Sequence, residues 1–99
     1  SATILYDQVP LLPNTLKYYH LDCIPGGTRN NFKSYGHHLA PMTKEQEIIL
    51  CDAQTSGGLL TIVRKNAVAA FKELTQKHGL DLNPIGYTHE AKDKLVYVK

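Results

Sequence analysis

Two polar, glycine-bearing runs are where this sequence could do chemistry. One is Gln54-Thr55-Ser56-Gly57-Gly58, which follows Cys51-Asp52 and feeds the uncharged run Leu59–Val63. The other is Pro25-Gly26-Gly27-Thr28-Arg29-Asn30-Asn31. Such turns can present successive backbone N–H groups to an anion, and Arg29 would add a forked cationic partner. The same glycines can equally serve a turn that needs φ > 0. QTSGG lacks the GxxxxGK[ST] spacing of a phosphate loop and precedes a strand pattern instead of a helix. At QTSGG the pattern alone favours a helix-to-strand turn, and PGGTRNN carries the same two readings.

Nucleophilic and metal chemistry find less support. Cys51 falls at a predicted helix C-terminus, where the negative end of the dipole raises a thiol pKa. That makes it a structural cysteine. Ser56 precedes both glycines of its run, so it is not the serine of a G-x-S-x-G elbow. His20, His37, His38, His78 and His89, with Cys23 and Cys51, contain no CxxC, HExxH or HxxxH spacing. Adjacent histidines in a strand or loop, such as His37 and His38, are expected to point in different directions and so seldom to share one ion. No catalytic residue and no metal ligand is assigned to this chain.

The bulk properties describe an ordinary globular domain. Ninety-nine residues, 42% hydrophobic and 20% charged, make one domain over 1–99 with one modest core. A net charge of +2, with Lys and Arg scattered along the chain, argues against a dedicated nucleic-acid surface. No apolar run is long enough to cross a membrane. SATILYDQVP has no signal-peptide pattern, and two cysteines make no disulfide framework, so the cytoplasm is expected. The abrupt opening on a strand suggests a piece of something larger.

Ala2–Val9 reads as a strand ended by Pro10 and Pro13. Asn14 is placed to cap a short helix over Thr15–Leu21. Pro25-Gly26-Gly27 reads as a loop. Thr28–Pro41 has neither a strand nor a helix period and reads as a long ordered loop. Thr43-Lys44-Glu45-Gln46 is a capping box for a helix reaching about Cys51. Leu59–Val63 reads as a strand. Asn66 is placed to cap a helix over Ala67–His78, with Val68, Phe71, Leu74 and Thr75 buried and Gly79 as its stop. Leu82–Thr88 and Leu95–Lys99 are β-prone. The resulting order, β-α-loop-α-β-α-β-β, is α+β (mixed α/β). It implies a small sheet of about four strands with helices packed on one face.

The two glycine runs taken together carry a resemblance. PGGTRNNFKSYG followed by LCDAQTSGGLL is similar to the C-terminal part of selenophosphate synthetase (selenide, water dikinase). There a PGGT-x-RN-F-x-SYG loop precedes LCDPQTSGGLL at similar spacing. The matching residues are Pro25–Thr28, Asn31, Phe32, Ser34–Gly36, Leu50–Asp52 and Gln54–Leu60. The likeness extends over essentially the whole chain. Asn30 stands where the family has arginine, leaving Arg29 as the neighbouring cation, and Ala53 stands where it has proline.

The resemblance implies the fold of aminoimidazole ribonucleotide synthetase-like C-terminal domains. It also implies an enzyme that converts selenide and ATP to selenophosphate, AMP and phosphate. ATP and Mg²⁺ would belong to the full-length enzyme and no cofactor to this chain alone. The family's catalytic Cys or Sec, its Lys and its metal-holding aspartates lie in an N-terminal half with no counterpart here. That half is the expected partner, and the chain alone is expected to be an inactive monomer. The polar loops are expected to face the cleft between halves, through Gly26, Gly27, Thr28, Arg29, Asn31, Asp52, Gln54, Thr55, Ser56, Gly57 and Gly58. A purely architectural QTSGG is the competing expectation. The alternative for the whole chain is a stand-alone binding or regulatory module reusing the fold. A thiamine-phosphate kinase or hydrogenase-maturation relative is a third, against which DAQTSGG and SYG speak.

Overall fold

Strand β1 (Ala2–Ile4) lies at the centre of a three-stranded sheet of order β2-β1-β3, in the computed structural model that describes residues 1–99. Strand β2 (Gly86–Thr88) pairs antiparallel to it, Ile4 opposite Gly86. Strand β3 (Val96–Val98) pairs parallel, with Thr3 opposite Tyr97. On the outer edge of β3, Leu39 bridges Val96, and Ala40 N–H donates to the Val96 carbonyl at 2.8 Å. The α+β class holds, with three strands where about four were expected.

The missing strand is Leu59–Val63. Residues Asp52–Val63 make no backbone–backbone hydrogen bond, and Leu59, Leu60 and Ile62 are 97%, 71% and 74% exposed. Side-chain propensity favours an extended backbone, but a strand also requires a neighbour's N–H and C=O groups. Here no edge meets it.

The helical part corrects a second expectation. Thr28–Pro41 is not a loop. Helix α2 spans Gly26–Tyr35, with Pro25 at its N-cap, followed by a 3₁₀ turn at Gly36–His38. The Pro25 carbonyl accepts the Thr28 N–H at 3.1 Å, so PGG opens a helix instead of closing one. Thr28 is buried and Asn31 and Phe32 are half-buried, at helical spacing. Because two of those three are polar, the helix period is invisible to an apolar count.

Helix α1 (Thr15–His20) forms where expected, but Asn14 adopts a left-handed φ of 67° and its side chain caps nothing. Asn66 likewise caps nothing. It lies in a 3₁₀ turn, Lys65–Ala67, that leads into α4 (Val68–Lys77). Gly79, at φ 72°, and Leu80 donate to the carbonyls of Gln76 and Thr75, closing α4 in a Schellman motif. Leu74, expected in the buried stripe, is 55% exposed.

The capping box of α3 (Lys44–Leu50) is present as read. Gln46 N–H donates to Thr43 Oγ1 at 3.2 Å, and Thr43 N–H donates to Gln46 Oε1 at 2.9 Å. Thr43→Ala is expected to cost about 1 kcal/mol, read as a lower urea midpoint at unchanged slope.

Tyr6, just past β1, donates its hydroxyl to Glu45 Oε1 at 3.0 Å and so ties the sheet to α3. Burial, then the Glu45 hydrogen bond and charge, push its phenol up to about 12. The folded chain therefore keeps a proton that the unfolded chain loses near pH 10, so stability is level below that pH and falls as pH rises toward 12. A tyrosinate absorbance titration should show a component near pH 12 that Tyr6→Phe removes.

The interior is small. Only Thr3, Thr28, Ala40, Ile48 and Thr75 are buried, and the radius of gyration is 15.0 Å. A compact chain of this length would measure about 13 Å.

Candidate functional site

Thr28 is the most buried residue of the chain, at 0% exposure, and it sits in the first turn of α2. Its hydroxyl is satisfied by the other glycine motif. Thr28 Oγ1 donates to Asp52 Oδ1 at 3.4 Å and accepts the Ala53 N–H at 3.3 Å. One turn further on, Asn31 Nδ2 donates to the Cys51 carbonyl at 3.0 Å. Gln54 Nε2 donates to the second Asp52 oxygen at 3.3 Å. A Cβ on Gly27 would lie 2.6 Å from the Ala53 Cβ, so the missing side chain is what permits this approach. The two motifs are thus one unit: the start of α2 seats the segment Cys51–Gln54.

Electrostatics fits the seating. Asp52 brings a carboxylate to the first turn of α2, the positive end of the helix dipole. The carboxylate is exposed, held on one side by a hydroxyl and on the other by an amide. It is an oriented negative charge open to whatever approaches.

Cys51 enters through its carbonyl and not its sulfur. Burial, then the Glu47 charge, push the thiol up, with Lys44 pulling the other way. A thiol held in its protonated form is a poor nucleophile.

The expected site residues divide. Gly27, Thr28, Asn31, Asp52 and Gln54 are brought together. Gly26 opens the helix with free space around it. Arg29 points elsewhere, into a groove it shares with Tyr19, Lys44 and Ile48. Thr55, Ser56, Gly57 and Gly58 are exposed and make no hydrogen bond. Gly79 alone among the glycines has positive φ, so the expected use of φ > 0 in the QTSGG turn is not what those glycines do. Sequence reasoning missed the part played by Ala53. A proline there would have no N–H to give Thr28, and the departure from the family pattern was the available signal.

No group of three His, Cys, Asp or Glu side chains converges anywhere in the structure. A Mg²⁺–nucleotide site demands near-octahedral oxygen ligation from carboxylates and phosphates. Asp52, the one carboxylate of the motif unit, does not meet that demand alone.

No protein-family model matches the chain. Among curated proteins it is similar to the selenide, water dikinase of Sulfurovum sp. (strain NBC37-1), 55% identical over 98 residues, covering 99% of this chain and 29% of that protein. The selenide, water dikinase of Sulfurimonas denitrificans is 47% identical over 98 residues, with 99% and 29% covered. That of Photorhabdus laumondii subsp. laumondii is 42% identical over 99 residues, with 100% and 28% covered. The chain spans less than a third of the length of these relatives.

Proposed function

We propose that this chain, which belongs to the selenide, water dikinase family along its whole length, forms the C-terminal portion of an enzyme that makes selenophosphate from selenide and ATP, with AMP and phosphate as co-products. Its partner is the N-terminal half of the same polypeptide, which supplies the catalytic Cys or Sec and the ligands for ATP and Mg²⁺. The segment itself contributes a wall of the cleft. The observation that carries this reading is the similarity to selenide, water dikinases along essentially the whole chain. What the segment offers the cleft is the oriented, exposed carboxylate of Asp52, held by Thr28 and Gln54 where the two motifs meet.

Phosphoryl transfer depends mainly on positioning and on electrostatic stabilisation of the transferring group. A fixed carboxylate can steer a metal-bound nucleotide, or a cationic side chain of the opposing half, without taking part in bond making. Residues 1–99 alone then carry no turnover.

Calorimetry on the isolated chain with ATP and Mg²⁺ is expected to show no saturable binding into the millimolar range. The complete polypeptide is expected to bind ATP and to release AMP only when selenide is present. Selenide-dependent AMP formation by the 99-residue chain alone, or none by the complete polypeptide, would overturn the reading.

A further inference from the structure

The strand register assembles an aromatic and basic surface away from the motif unit, and it does not rest on the reading above. Thr3 of β1 lies opposite Tyr87 of β2 on one side and Tyr97 of β3 on the other. Paired residues share a face, so the three form a row across the sheet with the short threonine in the middle. The tyrosines stand two strand spacings apart, about 10 Å. His89, two residues after Tyr87 and so on the same face, closes the row, its ring 6.0 Å from Tyr87 and 5.9 Å from Tyr97.

These rings are held in place. His89 Nδ1–H donates to the Glu90 carbonyl at 2.9 Å, which can only accept, and Nε2 lies 3.1 Å from Thr3 Oγ1. Tyr97 donates its hydroxyl to the Asp93 carboxylate and accepts the Lys94 N–H at 3.3 Å. Lys92 Nζ lies 5.2 Å from the Tyr97 ring centroid, and Lys99 lines the same concavity. The rings and both lysines surround a concavity of about 370 Å³, with Glu90 the one carboxylate on its rim. Tyr87 is 50% exposed.

We propose that this face binds single-stranded nucleic acid, with bases stacking on Tyr87 and Tyr97 to either side of His89, which covers Thr3, and phosphates meeting Lys92 and Lys99. Stacking needs only π-faces and is tolerant of base identity, while the lysines track the backbone. Scatter of Lys and Arg along the sequence argued against such a surface. The register gathers what the sequence scatters, because residues 3, 87, 97 and 99 meet only through strand pairing. The antiparallel and parallel partners of β1 each bring one tyrosine to the same rung.

The test is fluorescence anisotropy of a fluorescein-labelled oligouridine of about ten nucleotides, titrated with the complete polypeptide at several salt concentrations. Saturable binding is expected, weakened roughly tenfold by Tyr87→Leu and by Tyr97→Leu and retained in the phenylalanine variants. Lys99→Gln should lower the slope of log affinity against log salt by about 0.7. Because Tyr87 is half exposed, Tyr87→Leu leaves the sheet folded and decides the matter even where Tyr97→Leu does not fold. Affinity unchanged in Tyr87→Leu, equal binding of duplex DNA, competition by free uridine monophosphate as effective as by the oligomer, or no saturable binding would each overturn the proposal.

Discussion

Gly86→Ala is expected to abolish the cooperative unfolding of this chain, or to lower its stability by about 3 kcal/mol or more. An added Cβ would lie 2.2 Å from the Thr3 carbonyl oxygen and 3.2 Å from the Ile4 Cα. Both are backbone atoms of the central strand, so no side chain can swing aside. Relief requires β2 to move off β1. That in turn breaks the pairing of Ala2, Thr3 and Ile4 with Thr88, Tyr87 and Gly86. A domain stable by 5–15 kcal/mol has little margin for such a loss, and one with this small an interior has less.

The other glycines calibrate that expectation. Gly26→Ala meets nothing within 4 Å and adds a better helix former to α2, so it should be neutral or slightly stabilising. Gly79→Ala also finds open space, yet φ of 72° there imposes about 1–2 kcal/mol. Gly27→Ala would gain helix propensity but meets the Ala53 Cβ at 2.6 Å, and the clash decides the sign. Thermal melts followed by circular dichroism should rank them Gly26, Gly79, Gly27, Gly86 in order of increasing damage. Gly86→Ala melting with Gly26→Ala would show that β2 can leave β1 without consequence.

What the sequence disclosed and what it hid divide by range. The capping box at Thr43 and the stop at Gly79 were legible because each is a contract among residues within one turn. Helix α2 was hidden because its inward positions include Thr28 and Asn31, whose partners, Asp52, Ala53 and the Cys51 carbonyl, arrive from another motif. A polar residue facing inward looks like a loop residue until its acceptor is known. The expected strand at Leu59–Val63 failed in the opposite direction. Its composition is right for a strand, but pairing is non-local, and no edge in this chain takes it up. The site was legible as two motifs and not as one. Nothing in the spacing said that Gly27, and not Gly26, would carry the contact, or that Arg29 would turn toward Tyr19 and Lys44.

Asp52→Asn in the complete enzyme is expected to lower turnover about hundredfold while leaving stability nearly unchanged. The amide keeps an oxygen to accept from Thr28 or Gln54, so the seating of the segment on α2 survives while the charge is lost. Loss of a charge that only orients a bound group acts through misplacement, which costs about 10² in rate. Thr28→Val separates the supporting role from the charge. It keeps the volume of the most buried side chain but strips the Ala53 N–H of its acceptor and Asp52 of its donor. That should cost about 1–3 kcal/mol of stability. Turnover should fall less than for Asp52→Asn, and Thr28→Ser should restore it. The two variants together distinguish a cleft wall from a joint. If Asp52→Asn turns over normally and only Thr28→Val is impaired, through stability alone, then the meeting of the two motifs holds the fold and the charge is incidental. If Asp52→Asn loses turnover at full stability, the glycines of PGGT serve the ligand indirectly, by letting α2 come close enough to aim a carboxylate at it.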